Sequence, residues 1–175
     1  MIKAKKSLGQ NFLVDLNIIK KIINCSDIKN RNIVEIGPGT GNLTKYIINK
    51  LPKSLTLIEK DKDLTDHIKK KFEKDKNIEI FNTDVLKFDW EKKIKKKSII
   101  FGNLPYNIST QILIKLISVK NWPPKYDRLI FMFQKEVADK ILSKHNSQNY
   151  GRISIISSLR LEILDYFNIS QNCFL

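Results

Sequence analysis

The stretch Val34-Glu35-Ile36-Gly37-Pro38-Gly39-Thr40-Gly41-Asn42-Leu43 restricts the possible folds more than any other part of the chain. Asn32 to Ile36 is an apolar run that breaks into a glycine-rich turn and then opens a helix carrying Leu43, Ile47 and Leu51. It reads as buried strand, tight turn and amphipathic helix. Glycines at alternate positions accept left-handed backbone and put no Cβ between the main chain and a ligand. A nucleotide-like ligand suits such a turn. The dinucleotide fingerprint Gly-x-Gly-x-x-Gly would place its third glycine at position 42, which is Asn42; here it comes one residue early, at Gly41. With Glu35 at the strand end, Gly37, Gly39 and Gly41 favour S-adenosylmethionine over NAD as the guest. Taken alone, the stretch also reads as an ordinary glycine and proline turn.

Strand and helix patterns alternate along the rest of the chain. Residues Ile2 to Leu13 show neither period and form an arm, after which Asp15 or Asn17 caps a helix with Ile18, Ile19, Ile22 and Ile23 on one stripe. Strands are predicted at Ser54–Glu59, Asn77–Asn82, Ser98–Gly102 and Arg128–Phe133, with a last one near Leu159–Phe167. Between them, Asp61 caps a helix with Leu64, Ile68 and Phe72, and Ser109 opens one with Ile112, Leu113, Leu116 and Ile117. Val137, Ala138, Ile141 and Leu142 mark another helix, and a further one starts at Arg152. Such alternation requires parallel strands joined by right-handed crossovers. The fold class is therefore α/β, a doubly wound, mostly parallel sheet with ligands at the carboxyl ends of its strands. At 175 residues the chain is one domain, 1–175.

A formal charge of +14 points to a polyanionic partner, most often nucleic acid. Only Arg31, Arg128, Arg152 and Arg160 are arginine, against 28 lysines, and an excess of that kind also follows from codon bias in an AT-rich genome. The runs Lys69–Lys71 and Lys95–Lys97 accordingly read as solvated faces. Cys25 and Cys173 stand far apart and outside any ligand pattern, so free thiols and no structural zinc are expected. His67 and His145 are equally isolated, which leaves metal chemistry and a Ser-His-Asp nucleophile without residues. No apolar run nears the roughly 18 residues of a membrane span, and the basic start Met1–Lys6 leads into polar residues instead of a signal-peptide core. A soluble, cytoplasmic chain follows. The ending Asn172-Cys173-Phe174-Leu175 has no polar tail, which implies a fragment of a longer protein.

In a doubly wound sheet the first four strand ends converge on one crevice. Glu59 ends the second strand 22 residues after Gly37, the separation at which an acid reaches the ribose hydroxyls of a cofactor. Asp84 follows the third strand and can accept a hydrogen bond from the exocyclic amine of the cofactor's adenine, a charge-assisted bond of roughly 1.5–3 kcal/mol. Singly, each acid is as readily a helix cap or a solvated charge. The fourth strand end selects the reaction, because Asn103-Leu104-Pro105-Tyr106 brings together a side-chain amide, a main-chain carbonyl beside a proline, and an aromatic face. An adenine amine is a poor nucleophile while its lone pair is drawn into the ring. Two acceptors, Asn103 Oδ1 and the Leu104 carbonyl, can hold its protons and let it pyramidalise while Tyr106 stacks on the extruded base. The tetrapeptide alone also suits a plain proline turn after a strand.

Four motifs together carry a resemblance. Leu8-Gly9-Gln10-Asn11-Phe12-Leu13, Glu35-Ile36-Gly37-Pro38-Gly39-Thr40-Gly41, Gly102-Asn103-Leu104-Pro105-Tyr106-Asn107-Ile108-Ser109-Thr110 and Gln134-Lys135-Glu136-Val137-Ala138 closely resemble the ribosomal RNA adenine N6-dimethyltransferase family. The resemblance implies a class I S-adenosylmethionine-dependent methyltransferase (Rossmann-like) fold. It also implies two methyl transfers to each of two adjacent adenines near the 3′ end of small-subunit ribosomal RNA. A monomer with no membrane partner is expected. The family's cofactor residues fall on Asn11, Leu13, Gly37, Glu59, Asp84 and Asn103; Asn11 and Leu13 come from the resemblance alone. Family members continue with a strand that pairs with the last one here and with a small helical domain used on RNA, so both are expected to be absent. A sister branch methylates one adenine of the large subunit and confers macrolide resistance, but Leu104 and the run Gln134 to Asp139 look more like the small-subunit branch. Two other readings share parts of the pattern. Methyltransferases of protein glutamine carry proline where Leu104 stands and lack the Gly-Gln-Asn-Phe-Leu arm, and mitochondrial transcription factors of this likeness only bind nucleic acid.

Overall fold

The computed structural model describes residues 10–175; the start of the arm, including Leu8 and Gly9 of its motif, lies outside the described residues. Five strands, β1 (Asn32–Ile36), β2 (Ser54–Glu59), β3 (Ile78–Asn82), β4 (Ser98–Asn103) and β5 (Tyr126–Met132), pair in parallel in the order β3-β2-β1-β4-β5. The chain reverses its direction of strand addition between β1 and β4, and a crevice opens at the carboxyl ends there.

Period-two alternation divides each strand between two cores. Ile33, Leu55, Leu57, Ile99 and Phe101 face one side, where α1 (Leu16–Ile23), α2 (Asn42–Ile48) and α3 (Lys62–Lys71) bury Ile19, Ile22, Ile23, Leu43, Ile47 and Ile68. Val34, Ile36, Ile58 and Ile100 face the other, against Trp90 of α4 (Trp90–Lys93) and Ile112 and Leu116 of α5 (Ser109–Ile117). Both faces being covered explains why β2 is buried at all six positions. α6 (Lys135–Leu142) and α7 (Arg152–Arg160) follow β5.

Local chemistry sets the boundaries. Asp15 caps α1, its Oδ1 accepting from the Asn17 and Ile18 N–H groups at 2.8 and 3.0 Å, and Asp61 caps α3 by accepting from Asp63 N–H at 2.9 Å. Two sequence expectations fail. The helix after the glycine turn ends at Ile48, so Leu51 is not on its buried stripe; Leu51 sits at φ 55° before Pro52 and is 66 % exposed. The expected last strand near Leu159–Phe167 is not one: α7 runs through Arg160, and the backbone from 161 to 170 makes no ladder. Among the described residues β5 pairs with β4 alone, so this apolar segment has no strand beside it. Ile163, Leu164 and Tyr166 are left exposed.

Candidate active site

The glycine turn leaves β1 with Gly37 at φ 65° and Gly39 at φ 58°, a conformation that side chains disfavour. Gly37 N–H donates to the Ile58 carbonyl at 2.9 Å, tying the turn to β2. A Cβ on Gly39 would stand 2.9 Å from Phe12 Cδ1, so the arm packs directly on the turn. Asn42, where a dinucleotide fingerprint would have glycine, donates from Nδ2 to the Leu13 carbonyl at 2.9 Å and fixes the arm from the other side. Lys71 Nζ donates to the Thr40 carbonyl at 2.7 Å, holding the turn against α3.

One cavity collects most of the expected site. Asn11, Leu13, Gly37, Gly39, Glu59, Asp84, Asn103, Leu104 and Pro105 all line it, together with Glu35, Lys60 and Met132. Gly41 and Tyr106 are not among the lining residues. Gly41 has a packing reason to be glycine, because it precedes α2 at φ 77° and a Cβ there would come within 2.8 Å of the Phe72 ring. Tyr106 is half-buried in the turn before α5, where its carbonyl accepts from Ser109 Oγ at 3.3 Å.

The three acids are held by different kinds of donor. Glu59 Oε2 accepts from Gly39 N–H at 3.2 Å and Oε1 from Asp61 N–H at 2.9 Å; burial nevertheless raises its carboxyl above the ordinary range. Glu35 is 2 % exposed and accepts from Thr44 Oγ1 at 2.7 Å, and burial pushes its carboxyl up to about 8. Asp84 behaves oppositely. Its Oδ2 is 2.9 Å from Lys60 Nζ and its Oδ1 accepts from Leu86 N–H at 2.9 Å, so the lysine chiefly holds it below the usual carboxylate range.

Asn103 ends β4 beside the turn, its main-chain oxygen 3.6 Å from where a Gly37 Cβ would stand. Its side-chain Nδ2 donates to the Asn11 carbonyl at 2.6 Å. A carbonyl can only accept, so the atom touching Asn11 is the nitrogen and Oδ1 is left to accept from elsewhere. Asn11 thus supports the site through its main chain, a contact across 92 residues that no local pattern signals. The C-terminal residues hold the same arm: Val14 N–H donates to the Cys173 carbonyl at 2.9 Å, and Leu175 N–H to the Phe12 carbonyl at 2.9 Å. Among the described residues no group of three or more metal-ligating side chains occurs, and no helix is long and apolar enough to cross a membrane.

A family model described as ribosomal RNA adenine dimethylase matches residues 1–174. The chain belongs to that family. The family's ribosomal RNA small subunit methyltransferase A from Pelagibacter ubique is 50 % identical over 173 residues, covering 99 % of this chain and 65 % of that protein. The protein of the same name from Malacoplasma penetrans is 38 % identical, covering 98 % and 61 %. The chain therefore spans less than two thirds of the length of these relatives. Among solved structures, a dimethyladenosine transferase from Plasmodium falciparum matches with a TM-score of 0.73 at 34 % identity, over 85 % of this chain and 52 % of that one. The 23S rRNA methyltransferase ErmE matches at 0.65 and 26 % identity, over 74 % and 50 %. The alternation of elements predicted the parallel sheet with its flanking helices, and the match identifies it as the class I methyltransferase fold that the resemblance implied.

Proposed function

We propose that the chain acts with S-adenosylmethionine to dimethylate N6 of two adjacent adenines near the 3′ end of small-subunit ribosomal RNA, as a cytoplasmic monomer in ribosome biogenesis. The names of its relatives support the substrate, and the site supports the chemistry. The observation that carries the reading is the position of Asn103, whose amide shares one cavity with the glycine turn, Glu59 and Asp84 and has its oxygen free to accept.

The cavity fits that cofactor. Gly37 and Gly39 line the cavity and bring main chain to its surface, and a carboxylate offers about four acceptor positions. Glu59 and Asp84 therefore keep capacity for ribose hydroxyls and for an exocyclic amine beside the donors they already have. Leu13 and Asn11 add to the lining. When bound, the cofactor supplies an electrophilic methyl group on a sulfonium, so no strong base is demanded of the protein.

What the chain itself must do is restore nucleophilicity to the target amine. Asn103 Oδ1 accepts a hydrogen bond from one of its N–H groups and the Leu104 carbonyl from the other, with Pro105 fixing the backbone just beyond; the proton displaced as the methyl group joins the nitrogen is lost to water. Leu104 is 1 % exposed and anchors that carbonyl in the core between α5 and the sheet. Tyr106 then offers a face on which an extruded base can stack.

Incubating the protein with labelled cofactor and undermethylated small subunits tests the reading. Label is expected on two adjacent adenines near the 3′ end. Label on one adenine of the large subunit, or RNA retention without cofactor binding, overturns it.

A further inference from the structure

Lys60 is the first residue after β2 and Asp84 lies just past β3, so their ion pair of 2.9 Å bridges two neighbouring strand ends, and both residues line the cavity. The backbone at Lys60 is itself held. Asn82 Nδ2 donates to the Glu59 and Lys60 carbonyls, both at 3.1 Å, and to Thr65 Oγ1 at 3.0 Å. The ammonium end is open, since the Lys60 side chain is 57 % exposed against 20 % for Asp84. An ion pair so open to water contributes little to folding. Its effect is on direction. Leu86 N–H holds only Oδ1, which leaves the carboxylate able to pivot about that bond unless something fixes Oδ2.

We propose that Lys60 is a positioning residue for the adenine end of the cofactor: its ammonium pins the Asp84 carboxylate that receives the exocyclic amine, and its methylene stem forms part of the wall there. The inference rests on the cofactor reading above and adds a residue to it. Each Asp84 oxygen has a second acceptor position, so pinning Oδ2 fixes the carboxylate plane without consuming its capacity for the ligand's N–H. Lys87, the other cation acting on Asp84, forms no ion pair with it and cannot substitute.

Calorimetric titration of the purified chain with S-adenosylhomocysteine and with its N6,N6-dimethyl analogue, which has no N6–H to donate, separates the parts. In Lys60→Met the stem remains and the pin is lost. Affinity for the parent compound is expected to fall about five- to tenfold, while affinity for the analogue is unchanged, so discrimination between the two shrinks by that factor. Lys60→Arg is expected to restore most of it, and Lys60→Ala to weaken both ligands further through the lost stem. Far-UV circular dichroism and the thermal midpoint of the variants should match wild type. Wild-type behaviour of Lys60→Met, or equal loss for both ligands, overturns the proposal while leaving the cofactor reading intact. If the wild-type chain binds neither ligand, the cofactor reading fails and this inference with it.

Discussion

Replacing Glu35 by glutamine should make the protein more stable at slightly alkaline pH. Glu35 is 2 % exposed, and its carboxyl titrates at about 8 against an ordinary 4.5: burial raises it, the Thr44 hydroxyl bond works against burial, and the Glu59 charge works with it. Because the folded value lies above the unfolded one, the protonated form is the stabilising one. Its contribution is complete below about pH 4.5 and is lost as pH rises through about 8. A displacement of that size corresponds to on the order of 5 kcal/mol at most. Glu35→Gln keeps the shape and an acceptor for Thr44 Oγ1 but cannot ionise. Urea unfolding of both proteins at pH 5, 6, 7 and 8 gives the difference in stability directly. Asp84, lowered by Lys60, is common to both and largely drops out of that difference, whereas the repulsion between Glu35 and Glu59 is part of it. The variant's advantage should grow by about 2 kcal/mol or more between pH 5 and pH 8. A difference that stays flat across that range would refute the assignment of a buried, proton-holding carboxyl to the cavity wall.

Two further substitutions bear on the site. Gly39→Ala forces a side chain into left-handed backbone and to within 2.9 Å of the Phe12 ring, so a loss of about 1–2 kcal/mol in urea unfolding is expected. Cofactor affinity by calorimetry should also weaken at least tenfold, since Phe12 carries the arm that holds Asn11. For Tyr106→Ala, kcat/KM for RNA should drop by the roughly 1–3 kcal/mol of a base–aromatic stack, while Tyr106→Phe and the cofactor affinity of both variants stay near wild type.

The sheet was legible because its signals are local. Strands β1 and β2 begin and end where their apolar runs do, and Asp15 and Asp61 announce their helices by cap chemistry. The short helix α4 gave no period to read, four residues being little more than one turn. The expectation at Leu159–Phe167 erred because an apolar run reports only that a segment could pair, and among the described residues no strand pairs with it. At the site, Glu59, Asp84 and Asn103 were legible as polar residues at the ends of consecutive strands. Asn11 and Leu13 were not, because their place depends on hydrogen bonds to Asn103, Asn42 and residues 173–175 that lie far along the chain. Lys60 carries no local signal in a lysine-rich chain; its pairing with Asp84 emerges only when β2 and β3 lie side by side.

The account depends most on the neutral amide at the end of β4. Single-turnover methyl transfer to undermethylated small subunits, at saturating cofactor, compares Asn103→Ala with wild type at the step in question. If Asn103 Oδ1 holds a proton of the target amine in the transition state, as an oxyanion-hole donor holds its charge, the rate should fall roughly 100-fold or more. An unchanged single-turnover rate would contradict the mechanism.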